Sequence, residues 1–306
     1  MAVYDNIGRQ ITDIYSKTGE LLSYAYNING QQILDIDPPV YRANYDVYSY
    51  TQKWASKGLN NAQGFDIYDG KVFWVYKSGN ASIPADCYVF NLSDGSQALS
   101  NQYVTIYSGH GNNICFDYPK VYASPAYPPS KVYVNELSND FMTFTLVKTL
   151  TFNDGTADLD CCIDENNKDI LWTYGHISGA STTNILSKWD LSRLTDNGDE
   201  TYTPKRIHSV NVAQPQNTRY YQGCKFHDNI LWFANGYTGS SSGAYVFGVN
   251  PYTGEYLYTI DCNTTLEPEG IAWVEDETVP GGYALYVGFQ GMILRKYVFG
   301  ELEEVA

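Results

Sequence analysis

Positive charge is scarce in this chain. Its 306 residues include 19 Lys and Arg against 34 Asp and Glu, a formal net charge of −15. A protein that tracks nucleic-acid phosphates needs a basic face, and so does one drawn to an anionic membrane, so neither partner is expected. No apolar run approaches the ~20 residues of a membrane-spanning helix, so no membrane insertion is expected. The opening residues Met1 to Asn6 have neither a basic stretch nor an apolar core, so no Sec-type leader is expected. There are four histidines and no i, i+4 pair of them, which disfavours histidine-bound metal. The six cysteines (87, 115, 161, 162, 224 and 262) form no CxxC pair. They are expected to be buried, reduced thiols of a protein made in a cytosol rather than zinc ligands.

Helical periodicity is also nearly missing. Short runs rich in Val, Ile, Tyr, Trp and Phe alternate with Asp-Gly, Asn-Gly and Ser-Gly punctuation, which predicts strands joined by tight turns. One hairpin recurs. Gln63-Gly64-Phe65-Asp66-Ile67-Tyr68 turns at Asp69-Gly70 into Lys71-Val72-Phe73-Trp74, and Gln222-Gly223-Cys224-Lys225-Phe226-His227 turns at Asp228-Asn229 into Ile230-Leu231-Trp232-Phe233. Looser copies begin near Asn113, Asp158 and Gly270. The five starts at 64, 113, 158, 223 and 270 are 49, 45, 65 and 47 residues apart. That is the period of about 40–50 residues expected of propeller blades. The long step holds an insertion around Asp196-Asn197-Gly198-Asp199-Glu200. Each copy is followed by a second hairpin, so the prediction is an all-β chain with a five-bladed β-propeller over residues 41–306. The fifth unit ends early, and the segment 45–50, ahead of the first, is predicted to supply its last strand and close the ring.

Residues 1–40 read as a separate arm. Tyr4-Asp5-Asn6-Ile7-Gly8-Arg9-Gln10-Ile11 recurs 22 residues later as Tyr26-Asn27-Ile28-Asn29-Gly30-Gln31-Gln32-Ile33, and Asp37-Pro38-Pro39 follows as a linker. Neither copy has the apolar content for a core of its own. The arm packs on its own propeller or anchors the chain to other copies or a larger particle.

Propellers place ligands where inner strands begin. Here those starts carry Gln63, Asn113, Asp158, Gln222 and Glu269, a ring of hydrogen-bonding groups suited to a sugar, a cation or a water. The plainer reading is that they satisfy backbone groups and waters. Asp158 or Asp160 with Glu269 would make an acid/base pair of the kind glycoside hydrolysis uses. Asp158 and Glu269 are also the candidate calcium ligands, because Leu266 to Trp273 resembles the Glu-Gly strand start of calcium-dependent lactonase propellers. Otherwise no cofactor is expected. Gly239-Ser240-Ser241-Ser242-Gly243 matches G-x-S-x-G in form, but a hairpin follows where a nucleophile elbow needs a helix.

Tyrosine is in surplus, 29 against 12 Phe. Tyr122, Tyr127, Tyr220, Tyr221 and Tyr237 lie outside the clearest strands. As exposed rings they would stack on sugar faces, with Tyr220, Tyr221 and Tyr237 the favoured ligand contacts; as packed rings they would seal the rim.

The weak N-terminal arm, the five repeats and the Tyr/Asn/Gly/Ser surface together resemble receptor-binding tail or baseplate proteins of tailed phages of Gram-positive bacteria. The Gln63-Gly64-Phe65 strand start is similar to theirs, and the arm repeats resemble short N-terminal repeats of phage structural proteins. The resemblance implies a non-catalytic virion component made in the bacterial cytoplasm. It would bind host cell-surface polysaccharide through the propeller, join other tail proteins through residues 1–40, and act as a homo-oligomer. No long helical stem is present, a departure from that family. Two alternatives stand beside it: a polysaccharide-active hydrolase or lactonase-type enzyme using the central carboxylates, and a scaffold that binds protein only.

Overall fold

The computed structural model describes residues 3–4, 10–11, 24–26, 32–35, 48–54, 57, 61–76, 84–125, 130–177, 183–213, 221–236 and 243–299. Among these the fold is all-β, and the one helical element is a single 3-10 turn at Pro280–Gly282. The chain divides into two units, Met1–Ala43 and Asn44–Ala306.

In the first unit β1 (Val3–Tyr4) pairs with β2 (Gln10–Ile11), and β3 (Tyr24–Tyr26) pairs with β4 (Gln32–Asp35). Tyr4 lies opposite Gln10 and Tyr26 opposite Gln32. The two sequence repeats thus form similar hairpins that match at this Tyr/Gln pair, but the second shifts by one residue beyond it, so Ala25 lies opposite Leu34 where Val3 lies opposite Ile11.

The second unit opens with β5 (Tyr48–Trp54) and continues as five antiparallel meanders. The first is β6 (Ala62–Tyr68), β7 (Lys71–Tyr76), β8 (Ala85–Asn91) and β9 (Val104–Ile106). The second is β10 (Asn113–Asp117), β11 (Lys120–Ser124), β12 (Lys131–Leu137) and β13 (Phe144–Thr151). The third is β14 (Thr156–Asp164), β15 (Asn167–Ile177), β16 (Thr183–Asp196) and β17 (Thr201–Ala213). The fourth is β18 (Tyr221–His227), β19 (Ile230–Asn235), β20 (Tyr245–Val249) and β21 (Tyr256–Asp261). The fifth is β22 (Pro268–Glu275), β23 (Tyr283–Phe289) and β24 (Ile293–Phe299). Its fourth strand is β5, which runs antiparallel to β24 with Tyr50 opposite Tyr297. The closing strand thus comes from ahead of the first meander, a few residues later than 45–50.

The hairpin turns explain the recurrence. Asp69 and Gly70 have φ of 49° and 67°, and Asp228 and Asn229 have 52° and 60°. Two consecutive residues with positive φ make a type I′ turn, whose twist matches that of the flanking strands. The second and third meanders are joined by a short parallel pair, Thr149 beside Thr201 and Leu150 beside Tyr202, into one eight-stranded sheet. Its end strands β10 and β14 lie against each other, so the sheet nearly closes.

The first strands lie side by side in the order β6, β10, β14, β18, β22, and β22 returns to β6. The core fills the spaces between neighbouring meanders. Trp172, Tyr174, Tyr221 and Phe233 form one cluster between the third and fourth, Phe65, Trp74 and Tyr286 one between the fifth and first, and Phe73, Ile114 and Phe144 one between the first and second. Each sheet is covered by its neighbours, and this replaces the single two-layer core of a sandwich.

Candidate functional site

The centre of this circuit is built from glycine and from side chains that reach across it. A Cβ placed on Gly64 would lie 2.6 Å from Asn113 Cα, and one on Gly223 would lie 2.8 Å from Gly270 Cα. Inner strands therefore meet backbone to backbone, and Gly223 also holds φ of 86°. Only glycine combines this closeness with this backbone angle.

Asn113 and Asp160 fill the two places in this layer that glycine leaves. Asn113 Nδ2 donates to the Cys161 carbonyl, and Asp160 Oδ2 accepts from the Gly223 amide at 2.7 Å. Both side chains are buried, at 0% and 1% exposure. They tie the second meander to the third and the third to the fourth. Contacts between neighbouring inner strands thus occupy this level.

On the strand-start side of this layer lie Gln63, Asn112, Gln222 and Glu269. Counted from the hairpin turns, Gln63 and Gln222 are equivalent positions, and Glu269 matches them by preceding the glycine that touches Gly223. Asn113 lies one residue deeper, beside Gly64, so the predicted five-membered ring mixes two levels. Asn112 is the second meander's residue at the outer level, and Leu159 is the third's. Sequence reasoning missed Asn112; counting back from the hairpin turns, as in the other repeats, would have found it.

Four buried oxygens at this level have no hydrogen-bond partner within the chain, Gln63 Oε1, Asn112 Oδ1, Gln222 Oε1 and Glu269 Oε2, and Asn113 Oδ1 one level deeper is a fifth. Gln222 Nε2 donates to Glu267 Oε1 at 3.1 Å, and Gln63 Nε2 donates to the Ala62 carbonyl at 2.9 Å. The amide donors are thus spoken for while the acceptors remain. Burial raises the pKa of Glu269 well above the ordinary carboxylate value, and the nearby Glu267 raises it further.

Beyond the glycine layer is a charged cluster. Asp66, 1% exposed, accepts from the Ile67 amide at 2.7 Å, the Phe116 amide at 2.8 Å and the Lys225 ammonium. Lys225 also points at Cys115 Sγ, 3.6 Å away. Burial raises the Asp66 pKa, opposed by Lys225. Burial alone would lower Lys225, but the adjacent Asp66 outweighs it and the net shift is upward. Cys115 is pushed up to about 11, chiefly by burial, so it is a thiol and not a nucleophilic thiolate,. All six cysteines are buried and free.

The other predicted site residues fare differently. Tyr221 is a correction: it sits in β18 at 4% exposure with its ring edge-on to Tyr174, 4.9 Å between centroids. Tyr122 likewise is buried in β11 at 2%. Tyr221 begins β18, and its ring packs in the core against Tyr174 rather than standing exposed at a rim. Tyr127, Tyr220, Tyr237 and residues 239–242 of the serine-rich stretch lie outside the described residues, as does the Asp158 side chain, whose backbone pairs opposite His176 in β14. Among the described residues no group of three or more His, Cys, Asp or Glu side chains converges as metal ligands. The oxygen-only donors at the strand starts are chemically suited to calcium, while the burial that raises the pKa of Glu269 works against the charged carboxylate that calcium prefers.

No family model and no curated protein matches this sequence. Among solved structures the chain is similar to the glutaminyl cyclase of Myxococcus xanthus, at 13% identity with a TM-score of 0.50, over 85% of this chain and 97% of that one. At that identity the likeness concerns the fold alone.

Proposed function

We propose that Asn44–Ala306 is a five-bladed β-propeller, each meander a blade, and that it binds a glycan without turning it over at the strand-start end of its axis. The circuit of five inner strands supports the architecture, and the five buried, unpartnered oxygens support the ligand. A buried acceptor left unmet costs about 1–3 kcal/mol. A sugar offers many hydroxyl donors in a small volume, and a protonated Glu269 can itself donate to a ring or hydroxyl oxygen. The finer proposal is that the protein is a phage or prophage tail component. In it the propeller meets cell-surface polysaccharide, and residues 1–40 join other tail proteins or further copies. The paired repeat hairpins of that arm support this part of the reading.

The test is a glycan array followed by calorimetry of the wild type and Gln222→Ala. Binding of a neutral oligosaccharide, weakened at least tenfold by the substitution, is the expected result. Full affinity in the variant would place the ligand elsewhere.

A second reading rests on Glu269 and Glu267. A buried carboxyl whose pKa is raised, beside a second carboxyl, is an acid/base arrangement, with Asp158 and Asp160 the further acids named from sequence,. Release of sugar from host polysaccharide, or cyclisation of an N-terminal glutaminyl peptide, lost in Glu269→Gln, would favour this enzyme over the binding module. Stabilisation by calcium that Glu269→Gln abolishes would instead favour a cation at the strand starts.

A further inference from the structure

The insertion that stretches the third repeat builds a second polar surface, away from the axis. β16 and β17 extend past the length of the other blades' strands. Along them Asp190 lies opposite Lys205 while Leu194 lies opposite Pro204, so residues 191–193 of β16 face no partner. A bulge of this kind bends the strand and re-aims its side chains. The result is a groove of about 550 Å³ whose lining includes Asn153, Arg193, Thr195, Thr203, Lys205 and Arg206.

Three cations and no carboxylate line it, in a chain of net charge −15. Four lysines elsewhere are matched with carboxylates, Lys71 with Asp69, Lys168 with Asp117, Lys225 with Asp66 and Lys296 with Asp276, and Lys188 is held over the Trp172 and Tyr252 rings. Among the described residues none of Arg193, Lys205 and Arg206 has a carboxylate partner. The two acids three residues either side of Arg193 are engaged locally: Asp190 Oδ1 accepts from the Ser192 amide at 3.0 Å and from its hydroxyl, and Asp196 Oδ1 accepts from the Gly198 amide at 2.8 Å. Arg206 is steadied by the Trp189 ring, 5.9 Å from its guanidinium carbon to the ring centroid. Thr203 is fixed by Thr151 and Asn197, whose side chains lie 3.0 and 2.9 Å from its hydroxyl. The groove thus has a braced floor at the junction of β13 and β17.

We infer that this groove binds a phosphate or carboxylate group carried by a larger, mostly uncharged ligand. Two guanidinium groups can each present paired N–H donors to such an oxyanion, and Lys205 adds a point charge. The strongly negative chain repels a polyanion as a whole, which limits the ligand to one or two anionic groups placed locally. The inference is independent of the glycan site on the axis, and Glu269→Gln leaves it untouched.

The experiment is a TROSY NMR titration of the full chain with inorganic phosphate, glucuronate and, as neutral control, glucose. Phosphate, glucuronate or both should shift the amides of residues 193–195 and 203–206, glucose should not, and whichever anion responds identifies the group. The double substitution Arg193→Gln with Arg206→Gln should weaken binding at least tenfold. All three cations are exposed, so the fold should survive, and Lys205→Gln alone should weaken binding about threefold as a second check. Raising salt from 50 to 500 mM should weaken wild-type binding, since charges at an exposed site are screened over about 10 Å or less at 0.1 M salt and above. Shifts confined to other residues, equal affinity in the variants, or no response to either anion would overturn the inference.

Discussion

Replacing Lys225 by methionine isolates what the buried ion pair does. The substitution keeps most of the stem and removes the ammonium that faces Asp66. Asp66 retains the Ile67 and Phe116 amides, at 2.7 and 2.8 Å, but loses its counter-charge at 1% exposure. Stranding one partner of a buried pair costs about 3–5 kcal/mol. For a body of this size, 1 kcal/mol moves Tm by about 2–4 °C, so a fall of about 6–20 °C is expected near neutral pH. The loss must depend on pH. Without Lys225 the folded-state pKa of Asp66 rises further above its unfolded value, and for such a group stability is present below the unfolded pKa and lost as pH rises through the folded one. The deficit should therefore widen between pH 5.5 and pH 8, by at most about 1.4 kcal/mol per unit. Both pH values avoid the isoelectric point of about 4.5. Adding Asp66→Asn removes the stranded charge and should recover most of the loss. Circular-dichroism melts of the three proteins at both pH values decide it. A single-variant loss below about 1 kcal/mol, or a loss unchanged from pH 5.5 to 8, would show that the pair carries no buried charge.

Other consequences can be measured in the same way. Glu269→Gln should stabilise the protein increasingly as pH rises, because the raised pKa of Glu269 means its stability contribution is lost on ionisation,; a gain that shrinks with pH in denaturant melts would contradict this. Gly223→Ala adds a Cβ 2.8 Å from Gly270 Cα at φ of 86°, and should cost about 1–3 kcal/mol in the same melts, whereas Gly70→Ala, with open space around it, should cost less,. A chain beginning at Asn44 keeps β5 and should fold as a monomer that no longer assembles; one beginning at Ala55 leaves β24 with a bare edge and should aggregate in size-exclusion chromatography,.

Much of this fold was legible in the sequence, and the reasons are local. Type I′ turns need residues that tolerate positive φ, so Asp69-Gly70 and Asp228-Asn229 could be read as hairpins from the pairs alone. Spacing between repeats gave the five meanders, and alternation before the first gave the strand that completes the fifth. The arm's two copies became two hairpins with the same Tyr/Gln pair, while the shift beside Tyr26 in the second was not visible in the repeat. The candidate site was legible only in part. Gln63, Gln222 and Glu269 were found because each stands before a glycine at a strand start. Asn113 was set one level too far out, and Asn112 was missed, because this meander starts with two asparagines and has no Gln-Gly or Glu-Gly pair to mark the levels. Tyr221 was misread because a run of polar and aromatic residues looks the same at a rim and in a core; its burial depends on Tyr174, 47 residues away in another meander. The tertiary structure also decided what no local pattern contains. Asp66, Cys115 and Lys225 come from three different meanders, and only closure of the circuit makes them neighbours. The cations of the outer groove became a set only when the insertion folded back across β13. Local sequence fixes turns and strand faces through backbone sterics, whereas long-range burial decides which polar groups lose water together.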